Sequence, residues 1–223
     1  MTEAEAKITE LRQRMPAAAR RNQLLDVALE RFAARGYFDT SMEEIADAAG
    51  VTKPVLYQHF QSKQHLFLEL LDSVGRDLLA DVERRAGAEE NPYQRVLAGF
   101  RAYFRFVCDR PAAFQLVFGS GARLSDEFAE SVRRLEEGIA ATIARFIEAE
   151  IDAGHRELLG YAIVGLGEVA GRRWVALHGG SDGQVPADLD QAEADLMATR
   201  LADLVWAGLR GLPGSAAQRA GQA

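Results

Sequence analysis

Cysteine is almost absent: Cys108 stands alone in 223 residues, so no internal disulfide can form. The four histidines, His59, His65, His155 and His178, have no metal-ligand spacing with it or with one another, and no metal or cofactor is expected. The G-x-S-x-G, phosphate-loop and dinucleotide fingerprints are missing too, which sets catalysis aside. No apolar run approaches the roughly 18 residues of a membrane span, and the opening MTEAEAKITELRQRMP lacks the apolar centre of a secretion signal. A cytoplasmic protein without a membrane partner is the expectation. β-Branched residues are sparse and apolar–polar alternation never persists, so nothing predicts a strand.

Positive charge is also short, with 26 Lys and Arg against 33 Asp and Glu and a net charge of −7. Its distribution matters more than its sum. Residues 1–65 hold nine basic and nine acidic groups, so the whole deficit lies in 66–223. Two windows of the neutral part contain no carboxylate: Leu11 to Leu25, with four arginines, and Ala48 to Leu68, with Lys53, Lys63, His59 and His65. A surface built from those windows can meet a polyanion without repelling it. Lysine occurs three times against 23 arginines, which reads as genomic bias.

What is abundant is helical periodicity. Leu24, Leu25, Ala28, Leu29 and Phe32 form one apolar stripe within 17–35, and Gly36 is placed to end that helix with a positive φ. Thr40 and Ser41 each precede a glutamate by three residues, giving two overlapping capping-box registers for a short helix that Gly50 ends. Thr52, with Pro54 in the first turn, opens a helix over 53–60, and Ser62 caps another from Lys63 to about Arg85. Further helices are predicted over 92–109, 111–118, 125–152, 155–178 and 189–210. The organisation expected is a flexible arm (1–16), a helix-turn-helix unit (17–77, with its motif near 40–59), a helical core (78–211) and a disordered tail (212–223).

The stretch TSMEEIADAAGVTKPVLYQHFQSK (40–63) carries the specific signal. Ile45, Ala46, Ala49, Val51, Leu56 and Phe60 are suited to pack two short helices across a tight turn, where Ala46 and Gly50 must be small. The second helix would then present Thr52, Lys53, Pro54, Tyr57 and Gln58 outward, its first residues facing base edges in a major groove. Thr40, Ser41, Ser62 and Lys63 fall at helix N-termini, which suit phosphate oxygens. Read without that context, Tyr57 and His59 would be packing residues at the edge of a core. Arg20 and Arg21 serve equally well as phosphate contacts or solvated helix-end charges; Arg12 and Arg14 belong to the arm.

On Leu25, Ala28, Phe32, Gly36, Tyr37, Glu44-Ile45-Ala46, Ala49-Gly50-Val51, Leu56-Tyr57-Gln58-His59-Phe60 and Ser62-Lys63, the chain resembles the tetracycline-repressor (TetR) family of bacterial regulators over about residues 17–77. The resemblance implies an all-α homodimer: a three-helix DNA-binding unit followed by a divergent helical domain for ligand binding and dimerisation. It implies base contacts from Lys53, Pro54 and Tyr57, and phosphate contacts from Ser41, Thr52, His59 and Lys63. Glu43 departs from members with a basic base-reader in the second helix, and Pro54 stands where many have glycine.

The rest of the chain is rich in aromatics, which either pack a core or line an apolar cavity; Phe67, Leu70, Phe104, Phe114, Phe118, Phe146 and Trp174 are the cavity candidates. Gly160, Gly165, Gly167 and Gly171 crowd one helix at a cost in helix propensity, offset by close helix contact or by room for a long ligand. By the resemblance, the last two helices form the dimer interface, with Gly167, Gly171, Leu201, Val205 and Leu209 as candidates; these residues also suit packing within one subunit. The pattern looks most like actinobacterial members that sense long-chain acyl-CoA, with Arg105, Arg123 or Arg173 as a phosphate contact or simply a solvated charge.

The expectation is therefore a sequence-specific, homodimeric DNA-binding regulator, a repressor by default, that binds a palindromic operator in double-stranded DNA. A small apolar ligand would change the spacing of two recognition helices through the helix 63–85. The rivals are a DNA-binding protein indifferent to ligand, and a helical small-molecule carrier whose helix-turn-helix is vestigial.

Overall fold

The computed structural model describes residues 16–119, 126–179, 185–186 and 189–214. Among these there are nine helices and no strand: α1 (Ala17–Arg35), α2 (Met42–Ala49), α3 (Lys53–His59), α4 (Lys63–Gly87), α5 (Pro92–Asp109), α6 (Pro111–Phe118), α7 (Asp126–Phe146), α8 (Ala153–Leu177) and α9 (Gln191–Leu209). Residues 1–15 of the expected arm, with Arg12 and Arg14, most of the expected tail, and Arg123 lie outside the described residues. The chain divides into two compact units after Leu70. That division and the one expected after residue 77 fall in the same helix, α4.

The first unit is built by its stop and start signals. Gly36 takes φ +79° after α1, and Gly50 ends α2 in the left-handed region with its N–H donating to the Ala46 and Asp47 carbonyls. Of the two capping-box registers, the Ser41–Glu44 one forms: Glu44 N–H donates to Ser41 Oγ (3.2 Å) and Ser41 N–H to Glu44 Oε2 (2.8 Å). Thr40 is instead buried, its hydroxyl donating to the Gly36 carbonyl at 2.8 Å. Leu24, Ala28 and Phe32 of α1 share a core with Ile45, Ala46, Leu56, Phe60, Leu66 and Phe67. Phe67 meets Phe32 edge-on at 5.1 Å and Tyr37 at 4.9 Å.

In the second unit, α9 packs on α5 through Ala194, Ala198 and Ala202, spaced four apart on one buried stripe. α7 packs on α8, and the glycines of α8 show why: a Cβ on Gly160 would overlap the Ala140 carbonyl oxygen. A Cβ on Gly171 would lie 2.5 Å from Tyr103 Oη. Helix α7 stops at Phe146, six residues before the expected end. No glycine or proline forces this; Asp152 is used as the N-cap of α8, accepting from His155 N–H at 2.9 Å, and Glu150 N–H donates to the Pro213 carbonyl at 2.8 Å. Asp190 likewise caps α9, which starts two residues later than expected.

Candidate DNA-contacting surface and ligand cavity

Helix α3 is barely two turns, anchored inward by Leu56 and followed by buried Phe60. Its other side is exposed and carries Thr52, Lys53, Pro54, Tyr57 and Gln58 as one continuous face. Tyr57 leaves 44% of its surface in solvent, far more than a core-edge tyrosine needs. His59 is half-buried against Phe60, ring centres 6.3 Å apart. Thr52 precedes the helix in extended conformation and its hydroxyl makes no cap bond. Ser41, in contrast, has its hydroxyl engaged in the α2 capping box.

Two lysines in this surface have partners that spacing alone does not reveal. Lys53 Nζ lies 3.6 Å from Glu43 Oε2, so the departure at Glu43 supplies a counter-ion to the recognition helix. Both groups are well exposed, and the pair is weak and screened by salt. Lys63 Nζ donates to the carbonyls of Tyr37 (2.8 Å), Thr40 (2.9 Å) and Phe38 (3.4 Å) and sits 4.4 Å from the centre of the Tyr37 ring. It closes the turn between α1 and α2, which sets where α2 begins. Arg21 is similarly used inside the unit, paired with Glu69 and stacked 4.8 Å from the Phe60 ring centre.

The second unit contains an apolar cavity with an open mouth, the kind of concavity in which small molecules bind. Its wall comes from six helices and the chain after α7, among them Val82 of α4, Val96 and Phe100 of α5, Ile139 and Ile143 of α7, and Val164 of α8. Along α5 it reaches from Pro92 to Tyr103, roughly 16 Å at the rise of an α-helix. Arg95 borders the Pro92 end, where it binds Glu148 (3.0 Å) and the Glu89 carbonyl. Tyr103 and Glu168 border the other, with Glu168 paired to Arg172.

Of the expected cavity residues, Phe118 and Phe146 are in this wall. Phe104, Phe114 and Trp174 are not: they are buried beside it in ring contacts, Phe104 with Trp174 at 5.7 Å and Phe114 with Tyr103 at 6.4 Å. Phe67 and Leu70 belong to the core of the first unit. The physical reason is helical phase: Phe104 and Phe100 lie one turn apart, yet a four-residue step turns the face by 40°, enough to separate packing from lining. Gly167 and Leu209 also line the cavity, and Gly171 is filled by Tyr103 of the same chain. Leu201 and Val205 are half-buried on α9. The large apolar residues most exposed on the last two helices are Leu158, Tyr161, Val169 and Leu177 of α8 and Leu196 and Leu204 of α9. Of the candidate phosphate-binding arginines, Arg105 lies 3.5 Å from Asp195 and Arg173 is exposed; neither lines the cavity, whereas Arg95 does.

Comparison with known proteins joins these features. A family model described as bacterial regulatory proteins, tetR family, matches residues 24–70, the first unit's core and recognition helix. The transcriptional activator FasR of Mycolicibacterium smegmatis is 30% identical over 202 residues, covering 90% of this chain and 87% of that protein. A TetR-like regulator from Rhodococcus sp. RHA1 superposes with a TM-score of 0.69 at 26% identity, over 89% of this chain and 100% of that one. The regulator FadR of Bacillus subtilis, solved with stearoyl-CoA, superposes with a TM-score of 0.67 at 16% identity, over 82% of this chain and 96% of its own. No helix among the described residues is long and apolar enough to cross a membrane. The chain belongs to the tetR family of bacterial regulatory proteins and is a DNA-binding transcriptional regulator.

Proposed function

We propose that this regulator is a homodimer whose binding to a palindromic operator is controlled by a small apolar ligand held in the cavity of the second unit. The observation that carries the reading is the cavity's wall: Leu78, Val82 and Ala86 belong to α4, the helix that begins at Lys63 beside the recognition helix. A ligand that binds one arrangement of α4 better than another shifts the population toward it, and operator affinity changes reciprocally. Thr52, Lys53, Pro54 and Tyr57 read the DNA, with His59 and Ser41 at its backbone. The apolar side chains exposed on α8 and α9 form the dimer face, together with Leu201 and Val205.

The ligand class that fits best is a long acyl chain, and acyl-CoA in particular. The cavity is elongated and apolar, Arg95 borders one end, and the stearoyl-CoA-bound FadR shares the fold. FasR is named an activator, whereas KstR2 of the same organism is named a repressor, so both signs of response occur among this chain's relatives.

The test is in vitro selection of random duplex DNA near physiological salt, where purely electrostatic binding is suppressed, then competition of the selected operator by palmitoyl- or stearoyl-CoA. An enriched palindrome and a changed operator affinity in the presence of acyl-CoA are the expected results. Filling the cavity with Val164→Trp should abolish the response and spare DNA binding. An operator bound equally with and without acyl-CoA would refute the acyl-CoA reading, and absence of enrichment by a folded dimer would refute the operator reading.

A further inference from the structure

Helix α2 carries three carboxylates, and the structure sorts them by side. Glu44 is spent in the capping box with Ser41 and on Arg35. Asp47 lines a groove with Glu44, Arg31 and Arg35, against α1. Glu43 is not in that groove. It meets α3 instead, its Oε2 3.6 Å from Lys53 Nζ, with 70% of its side chain in solvent. The stretch from Ala48 to Leu68, which contains the recognition helix, has no acid of its own, so α2 supplies one. A carboxylate there is repelled by phosphates and by the acceptors that bases show in the major groove, guanine O6 and N7, adenine N7 and thymine O4. The groups it can meet are the amino donors, N4 of cytosine and N6 of adenine.

We infer that Glu43 is a specificity-determining residue of the operator contact: Lys53 donates to guanine, and Glu43 accepts from N4 of the cytosine paired with that guanine. The inference rests on the reading of α3 as the recognition helix and adds one base pair to it. In a G·C pair, O6 and N4 are hydrogen-bonded to each other, about 2.9 Å apart, close to the 3.6 Å between ammonium and carboxylate. One ion pair thus lies across one base pair, cation to acceptor and carboxylate to donor. An A·T pair offers the same order through thymine O4 and adenine N6. It gives the ammonium one acceptor beside a methyl group, where guanine gives two. Reversing the G·C pair sets the carboxylate against O6 and the ammonium against N4, so the strand that carries guanine is fixed as well.

The experiment runs the selection of random duplex DNA on the full chain and on Glu43→Ala in parallel. At one position of each half-site the wild-type preference for G·C should drop about fivefold or more in the variant, the lower end of what a base contact contributes. The operator is then synthesised with N4-methylcytosine at that position, which keeps the base pair and puts a methyl group where the outward amino hydrogen was. Wild type should bind it about fivefold or more weakly than the plain operator, and Glu43→Ala by less than about twofold. Each ratio compares two DNAs on one protein, so a change in stability cannot mimic it. Glu43→Gln keeps an oxygen acceptor without the charge and should keep the base preference. Identical motifs from wild type and Glu43→Ala overturn the Glu43 inference and leave the recognition helix standing. So does an A·T pair at the affected position, or equal sensitivity of the two proteins to the methyl group. No enrichment by folded, dimeric wild type overturns the operator reading and this inference with it.

Discussion

The ammonium of Lys63 lies 2.8 Å from the Tyr37 carbonyl oxygen and 4.4 Å from the centre of the same residue's ring, 26 positions back along the chain. Together with the Thr40 and Phe38 carbonyls, this makes Lys63 a tie between the start of α4 and the turn that launches α2. Its hydrogen bonds are spent inside the unit. Lys63→Met should therefore cost about 1.5–3 kcal/mol of stability, the range for charged hydrogen bonds, and weaken operator binding as well. Denaturant unfolding measures the first and fluorescence anisotropy the second. A purely phosphate-binding lysine would leave stability unchanged.

Lys53→Ala and Tyr57→Ala should behave in the opposite way. Both side chains are exposed on α3, so operator affinity should fall about fivefold or more, at about 1–3 kcal/mol per lost base contact, while the melting temperature barely moves. A large drop in melting temperature would make them packing residues.

Glu43→Gln frees Lys53 from its counter-ion. Because exposed pairs contribute up to about 1 kcal/mol, operator binding should tighten by no more than about fivefold, and the gain should vanish at high salt. Anisotropy at two ionic strengths checks both halves.

The glycines of the second unit divide by what surrounds them. Gly160→Ala places a methyl group into the Ala140 carbonyl and should destabilise by about 1–3 kcal/mol. Gly99→Ala, on α5 with nothing within 4 Å, should stabilise by up to about 1 kcal/mol through helix propensity, while narrowing the ligand cavity. Thermal unfolding of the two variants decides it.

Glu44 gives a pH signature. The Ser41 backbone amide, then the Ser41 hydroxyl and Arg35, hold its carboxyl below the usual carboxylate range. A depressed folded pKa gives stability that is present above the unfolded value and lost as pH falls through the folded one. Glu44→Gln should thus lower the melting temperature at pH 7, and the difference from wild type should shrink below about pH 4.

How much of this the residues announced in advance can be argued element by element. The helix starts at Ser41 and Lys63 and the stops at Gly36 and Gly50 were legible because caps and positive-φ residues act within four positions. The end of α7 was not, because a distant hydrogen bond from Glu150 to Pro213 and the cap at Asp152 compete with a helix that the local sequence favours.

By itself the sequence determined the all-α class, the first unit with its recognition helix, and the exposed face of Thr52, Lys53, Pro54 and Tyr57, since periodicity and capping are local and a short helix has only one apolar side to bury. Tertiary structure decided the rest. It assigned Phe118 and Phe146 to the cavity wall and Phe104, Phe114 and Trp174 to the packing beside it, gave Gly171 to Tyr103, and turned Lys63 inward. Each of those outcomes depends on which helix lies opposite and at what phase, and an amphipathic stripe specifies that a face is buried without specifying against what.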